Sequence, residues 1–232
     1  MQVPRKFVDD DDMGMQMITW PRGDRPEKGQ CILYADEVMT GFEYSAAVTL
    51  VQAGALREGF AAVKAVSDRY DGRPRKKLTA INTASWGYSG NPFGDDECGK
   101  FYGRSMSVWS MLLACQGFIY EGPAGVIGFR PLWKPENHTS FFSAAEGWGL
   151  YSQVRKESEQ TGTLALSYGT LNLSSVILEL ASPLQPDKVI VTLNSKPVEC
   201  TYISHGKSLT VSLASRQTLK ASEVLSILVR TK

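Results

Sequence analysis

Asp95, Asp96 and Glu97 stand in a row just ahead of Cys98, and Arg104 follows Glu97 after seven residues, within the stretch Asn91 to Met106 that reads NPFGDDECGKFYGRSM. Asn91-Pro92 and Gly94 mark a turn, and loops held on a rigid scaffold are where binding groups concentrate. Seven residues make two turns of an α-helix, so a helix begun near Glu97 projects that carboxylate and the Arg104 guanidinium from one face. Such a pair grips a polyol. The ionised carboxylate accepts hydrogen bonds from sugar hydroxyls, while the guanidinium donates to others and keeps the acid charged. Without a ligand, the same residues read as an acidic helix start that complements the helix dipole, with Arg104 in a surface ion pair.

A second group of acids is Asp36-Glu37, before Thr40 and Glu43. Thr40 and Glu43 have the spacing of a capping box, with Thr40 as the cap and Glu43 at the third helical position, which makes Glu43 structural. Asp36 and Glu37 are then left before the helix, where on their own they read as solvated acids ahead of its dipole. Trp148, in AAEGWG, offers a flat apolar face to a pyranose ring, with Glu146 orienting the loop; core packing is its other reading. Trp20, Trp86 and Tyr88 carry the same two readings. Retaining glycoside hydrolysis needs two carboxyl groups about 5 Å apart, and inversion needs roughly 6.5 to 9.5 Å. The sequence does not fix the separation of Glu37 and Glu97.

Other chemistries find no support. Cys31, Cys98, Cys115 and Cys200 are widely spaced with no CxxC pair, and His138 and His205 stand apart, so neither a metal site nor a redox motif is expected. No phosphate-cradling glycine loop, dinucleotide fingerprint or nucleophile elbow is present, and no cofactor is implied. With 25 basic and 24 acidic residues the formal net charge is +1, which favours a neutral polar ligand over nucleic acid. No segment approaches the roughly 20 apolar residues of a membrane helix. The opening MQVPRKFVDDDDMGM has acids where a secretory signal needs basic residues and an apolar core, so no export signal is visible and a cytoplasmic location is expected.

The elements that must position these residues change in character along the chain. Residues 1–33 form an irregular lead-in rich in Asp, Gly and Pro. From Thr40, Phe42, Ala46, Ala47, Leu50 and Val51 keep a helical rhythm that Gly54 ends; a second helix is predicted from about Leu56 to Tyr70, with Phe60, Ala62, Val63 and Val66 inward. Two helices so closely joined pack antiparallel. A third is predicted from about Phe101 to Gln116, carrying Met106, Trp109, Leu112 and Leu113. Beyond Gly117, glycines, aromatics and prolines predict short strands or loops, and from about Tyr151 the rhythm becomes two in LALSYGTL, VILEL, KVIVTL, VECTYI, SLTVSL and VLSILV. Pro186-Asp187, Asn194-Ser195 and His205-Gly206 are the turn signals between them.

Several blocks share an order that resembles the C-terminal part of glycoside hydrolase family 116, the group of the non-lysosomal glucosylceramidase and bacterial beta-glucosidases. They are WPRGDRP from Trp20, YADEVMTGFEYSAA from Tyr34, RYDGRPR from Arg69, NPFGDDECGKFYGRSMSVW from Asn91, GFIYEGPAGVIGFRP from Gly117 and AAEGWGLY from Ala144. KKLTAINTASWGYSG intervenes between two blocks that run on closely in that family.

That resemblance implies a partial (α/α)6 toroid of about three to four helices over residues 34–150, followed by a small antiparallel β-sandwich or sheet over 151–232. It implies sugar-binding roles for Glu97 and Arg104 and places Asp36 and Glu37 at the toroid mouth, while the family's nucleophile and acid/base lie upstream of these blocks. The chain is therefore expected to be a C-terminal fragment that holds a β-glucoside or other neutral sugar without a catalytic pair. Self-association or pairing with a missing N-terminal half follows from helix faces left uncovered. Two alternatives stand beside it: a carbohydrate-binding or assembly module, and a glycosidase completed by another polypeptide.

Overall fold

Tyr44, Ala47 and Val51 recur at helical spacing and are buried along α1 (Thr40–Gln52), the first helix described by this computed structural model. The structure describes residues 7–8, 14–15, 39–69, 103–183 and 185–231. The chain divides into two units, Met1–Met111 and Leu112–Lys232.

In the first unit, α1 and α2 (Leu56–Arg69) form a helical hairpin. Gly54, at φ 85°, turns the chain between them in a left-handed conformation that glycine adopts without a Cβ clash. Ala62, Ala65 and Val66 form the buried stripe of α2. Gly59 sets how closely the helices approach, because a Cβ there would lie 2.7 Å from Val51 Cγ2 and 2.9 Å from the Ala47 carbonyl. Lys64 and Asp68 pair along the exposed side of α2. A short ribbon of β1 (Phe7–Val8) and β2 (Gly14–Met15) completes the described part of this unit, together with a 3-10 helix, Gly103–Trp109.

The capping box does not form. Met39, extended at φ −131° and ψ 108°, occupies the cap position without a side-chain bond, and Thr40 is already helical. A capping side chain must come from the extended residue before the helix, so Thr40 stands one place too late. Glu43 is buried and accepts a 2.8 Å hydrogen bond from the Met15 backbone N–H, tying the ribbon to α1.

The third helix also differs from its prediction. The chain runs as the 3-10 helix and then as α3 (Ser110–Gln116). Ser105, Ser107 and Val108 favour a regular α-helix less than straight-chain residues do, and in a 3-10 helix residues three apart eclipse. Met106 and Trp109 share that spacing and are 61% and 72% exposed. In α3, Met111 and Ala114 are buried while Leu112 and Leu113 are exposed.

The second unit is a ten-stranded sheet built around one long strand. Its members are β3 (Ile119–Glu121), β4 (Val126–Phe129), β5 (Asn137–Ser143), β6 (Gly147–Lys156), β7 (Glu159–Glu179), β8 (Pro186–Leu193), β9 (Lys196–Val198), β10 (Cys200–His205), β11 (Ser208–Lys220) and β12 (Val224–Thr231). The first half of β7 lies between β6 and β12, giving the order β5-β6-β7-β12-β8-β9. Its second half lies between β11 and β4, giving β3-β4-β7-β11-β10. Only the β4–β7 pair among these is parallel.

Both halves bury side chains in one core, which includes Phe129 from β4, Phe142 from β5, Tyr151 from β6, Leu164 and Val176 from β7, Leu209 from β11 and Ile227 from β12. The Phe129 and Tyr151 rings stack there at 3.9 Å, with planes 6° apart. Asn194 and Ser195, at φ 49° and 66°, make the tight turn into β9, and Gly206 makes the turn into β11. Pro186 opens β8 instead of ending a turn, as suits a residue that cannot donate to a ladder.

The expected fold is thus corrected. The described residues form a mostly β structure with one helical hairpin and short helical pieces; they do not form a partial (α/α)6 toroid of three to four helices before a small antiparallel sheet. The sheet is mixed and starts at Ile119. NHTSFFS in β5 alternates exposed and buried at every residue, and β6 alternates through its first half, as half-buried strands must. Polar His138 and Ser140 at buried positions of β5, and Gly147 and Gly149 at those of β6, hide that alternation in the sequence.

Candidate functional site

Trp148 is the one predicted sugar-binding residue on the β-sheet, and the structure places it on the outer face of β6 with its ring 44% exposed. Tyr168 of β7 stands directly opposite, 65% exposed, its ring centroid 6.1 Å from that of Trp148 and its plane 19° from parallel. Phe141 of β5, 43% exposed, lies 6.0 Å from Trp148 on the other side, tilted by 42°. Three aromatic rings on three adjacent strands therefore share one open face.

Local backbone geometry puts them there. The β6–β7 register runs from Trp148↔Tyr168 to Gly149↔Leu166, which leaves Ser167 without an opposite residue. An extra residue reverses the inward–outward order, so Tyr168 points out although Leu164 and Leu166 point into the core. Gly169, at φ 75°, completes the irregularity; a Cβ there would sit 1.9 Å from the Glu146 carbonyl oxygen. A Cβ at Gly149 would sit 2.1 Å from the Ala165 oxygen, so the strands close under the platform only because both positions are glycine. Glu146, in the β5–β6 turn, accepts the Thr170 hydroxyl at 3.2 Å and the Thr170 N–H at 3.0 Å on its backbone oxygen. It holds the turn beside Trp148.

The two rows next to the aromatic pair are uncharged, while the far end of the same face carries Lys156, Glu159, Arg230 and Lys188 side by side. Two residues along from the aromatic pair, Phe141, Leu150, Ala165 and Val224 lie side by side across four strands. The next row is entirely hydroxylic: Thr139, Ser152, Thr163, Ser226 and Thr192 pair in sequence from β5 to β8. Hydroxyls both donate and accept, and none of these side chains carries a charge.

Arg104 lies in the first unit, half-buried in the 3-10 helix, with its guanidinium carbon 4.7 Å above the Phe42 ring centroid. Its stem fills the space that a side chain at position 41 would need, since a Cβ on Gly41 would come within 2.1 Å of Arg104 Cγ. Ser107 donates to the Gly41 carbonyl at 3.3 Å, holding the same contact. Glu97, Asp36 and Glu37 lie outside the described residues, as do Asp95, Asp96, Trp20, Trp86, Tyr88, Cys31 and Cys98.

A buried Ser–His pair invites comparison with nucleophilic catalysis and has another purpose. His138 Nε2 and Ser140 Oγ are 2.9 Å apart, and Ser140 Oγ is 2.8 Å from the Gln116 side-chain oxygen. His138 Nδ1 faces the Trp133 carbonyl at 2.9 Å, and a carbonyl only accepts, so the proton sits on Nδ1. Nε2 of the neutral ring then accepts from Ser140. Turning the Gln116 amide brings its Nε2, otherwise buried without a partner, to donate to Ser140 Oγ. The turn leaves the amide oxygen in the position without a partner, and all three residues are buried, which suits a structural chain.

A second buried network joins β6 to β7. Tyr151 donates to Gln153 at 2.7 Å, Gln160 donates to Gln153 at 3.1 Å and to the Glu179 carbonyl at 3.0 Å, and Arg155 Nε donates to Gln160 at 3.1 Å. Burial pushes the Tyr151 hydroxyl far above its ordinary range, against a smaller lowering by Arg155. Burial likewise raises the Cys115 and Cys200 thiols, the reverse of activation. A cavity of about 100 Å³ beside Arg155, Gln160 and Leu180 is below the roughly 300 Å³ at which ligand pockets begin. Among the described residues no cluster of His, Cys, Asp and Glu could hold a metal ion, and no helix is long and apolar enough to cross a membrane.

No family model matches this chain, and no curated protein does. Among solved structures, it is similar to an alpha-L-rhamnosidase from Dictyoglumus thermophilum, at 11% identity and a TM-score of 0.34, over 65% of this chain and 16% of that one. It is similar also to a protein described as a glycoside hydrolase, at 14% identity and a TM-score of 0.31, over 54% of this chain and 19% of that one. The chain thus spans less than a fifth of either protein. Both neighbours are glycoside hydrolases by description, and neither match establishes the family 116 group.

Proposed function

We propose that this chain is a sugar-holding part of a glycoside hydrolase-like protein, that its ligand is a β-glucoside, and that it carries no catalytic pair of its own. The observation that supports this most is the open Trp148–Tyr168 pair, flanked on its face by an apolar row and then a hydroxyl-bearing row. A pyranose has an apolar face of C–H bonds and a rim of hydroxyls, which such a surface matches. The order of sequence blocks supports the same reading. On it, Glu97, Arg104, Asp36 and Glu37 form a second set of sugar contacts.

Titration of methyl β-glucoside into the purified chain, followed by tryptophan fluorescence and calorimetry, tests it. Saturable binding that Trp148→Ala weakens at least tenfold is expected; no binding, or binding untouched by that change, refutes it. Turnover of an aryl β-glucoside by the chain alone refutes the absence of a catalytic pair.

One observation favours the assembly reading as well. Met106 and Trp109 expose large apolar surfaces on one side of the 3-10 helix, and such surface is stabilised when a partner covers it. Light scattering of Trp109→Ser beside the unaltered chain tests whether association depends on it.

A further inference from the structure

We infer that the ligand of the β-sheet face is a chain of linked pyranosides lying across the strands from Phe141 over Trp148 to Tyr168, so that more than one sugar ring is held. This rests on the sugar-holding reading above and deepens it. A single pyranose covers about one indole, whereas the face offers three rings in succession, one from each of β5, β6 and β7, at 6.0 and 6.1 Å. Strands repeat about 4.8 Å apart across a sheet, so a ligand stepping from ring to ring must run across them.

The platform is also built to stay in place. Its glycine-closed floor and unpaired Ser167 fix Tyr168 outward, where its ring plane lies within 19° of the Trp148 plane. Rigid rings lose little entropy when a ligand settles on them. The row of Thr139, Ser152 and Thr163 borders the Phe141 end of that path, four residues or about 13 Å along β6 from Trp148, and offers donors and acceptors to hydroxyls there. The three rings and the row of Leu150, Ala165 and Val224 beside them are uncharged, as suits a neutral polyol; the charged row of Lys156, Glu159, Arg230 and Lys188 lies at the far end of the face.

The test compares methyl β-glucoside with β-1,3- and β-1,4-linked glucose di- and tetrasaccharides, titrated calorimetrically into the full chain and into Tyr168→Ala and Trp148→Ala. Both changed residues are exposed, and unchanged thermal melting of the variants is the control on folding. Affinity is expected to rise about tenfold from one ring to two in at least one linkage series. Tyr168→Ala is expected to abolish that gain while monosaccharide binding remains. Equal affinity for one ring and for longer chains in both series, with Trp148→Ala still weakening all of them, overturns the inference and leaves the simpler reading standing. No sugar binding at all overturns both. A concentration-dependent dimer that Trp148→Ala dissolves, without sugar binding, assigns the face to a second copy and also overturns both.

Discussion

Trp148 and Tyr168 sit opposite each other on β6 and β7 because Ser167, just before Tyr168, has no residue facing it. One unpaired residue converts a core position into half of an exposed aromatic pair. Gly169→Ala attacks that geometry directly, since it meets both an unfavourable φ of 75° and the Glu146 oxygen. A loss of about 2 to 4 kcal/mol is expected from strain and displaced backbone. Chemical denaturation measures it, and a loss below about 0.5 kcal/mol contradicts the described bulge.

Tyr151 gives a signed dependence on pH. Its ordinary value is 10.0 and burial holds the folded-state value above that, so between the two the unfolded chain releases a proton that the folded chain retains. The associated stability is complete below pH 10 and declines as pH rises above it, by up to about 1.4 kcal/mol per pH unit. Tyr151→Phe is expected to remove this component of the alkaline decline. Denaturation midpoints of both proteins between pH 9 and pH 11 provide the check.

Nitrogen chemical shifts of His138 test the buried chain to Gln116. The neutral ring is expected to carry its proton on Nδ1, because Nδ1 faces the Trp133 carbonyl. Gln116→Ala removes the third member and leaves Ser140 short of a buried partner, at a cost of about 1 to 3 kcal/mol. A proton observed on Nε2 of the neutral ring contradicts the arrangement.

Gly41→Ala probes the seat of Arg104. The added methyl meets the Arg104 stem, and either the arginine or the 3-10 helix must shift, costing about 1 to 3 kcal/mol. If Arg104 also contacts sugar, the same change weakens methyl β-glucoside binding beyond any effect on folding. Calorimetry at a temperature where both proteins are fully folded separates the two.

Much of the helical hairpin was legible in the sequence: the stop at Gly54 follows from glycine's freedom at positive φ, and Ala62 and Val66 are buried as their spacing requires. Glu43 was readable as structural but not through a partner 28 residues away, because Met15 is brought to it by tertiary contact alone. Strand β6 was obscured by Gly147 and Gly149, which serve close strand packing, and β5 by polar His138 and Ser140 at buried positions. Trp148 was legible as a flat apolar group beside a glycine. Tyr168 was not, since in LALSYGTL simple alternation puts it on the face of Leu164 and Leu166, and a bulge leaves no mark in alternation. The toroid was expected from resemblance, and the residues from Ile119 onward follow strand periodicity instead.

The shared strand β7 also dictates how this unit comes into being. Ile127 must meet Val176 and Glu159 must meet Arg230 before the strand is paired on both sides, and such distant encounters make refolding slow, in the millisecond-to-second range. During synthesis β7 leaves the ribosome well ahead of β12, its own neighbour, and waits with a bare edge until Val224–Thr231 arrives. In that interval the nascent chain is most vulnerable to mispairing with another copy.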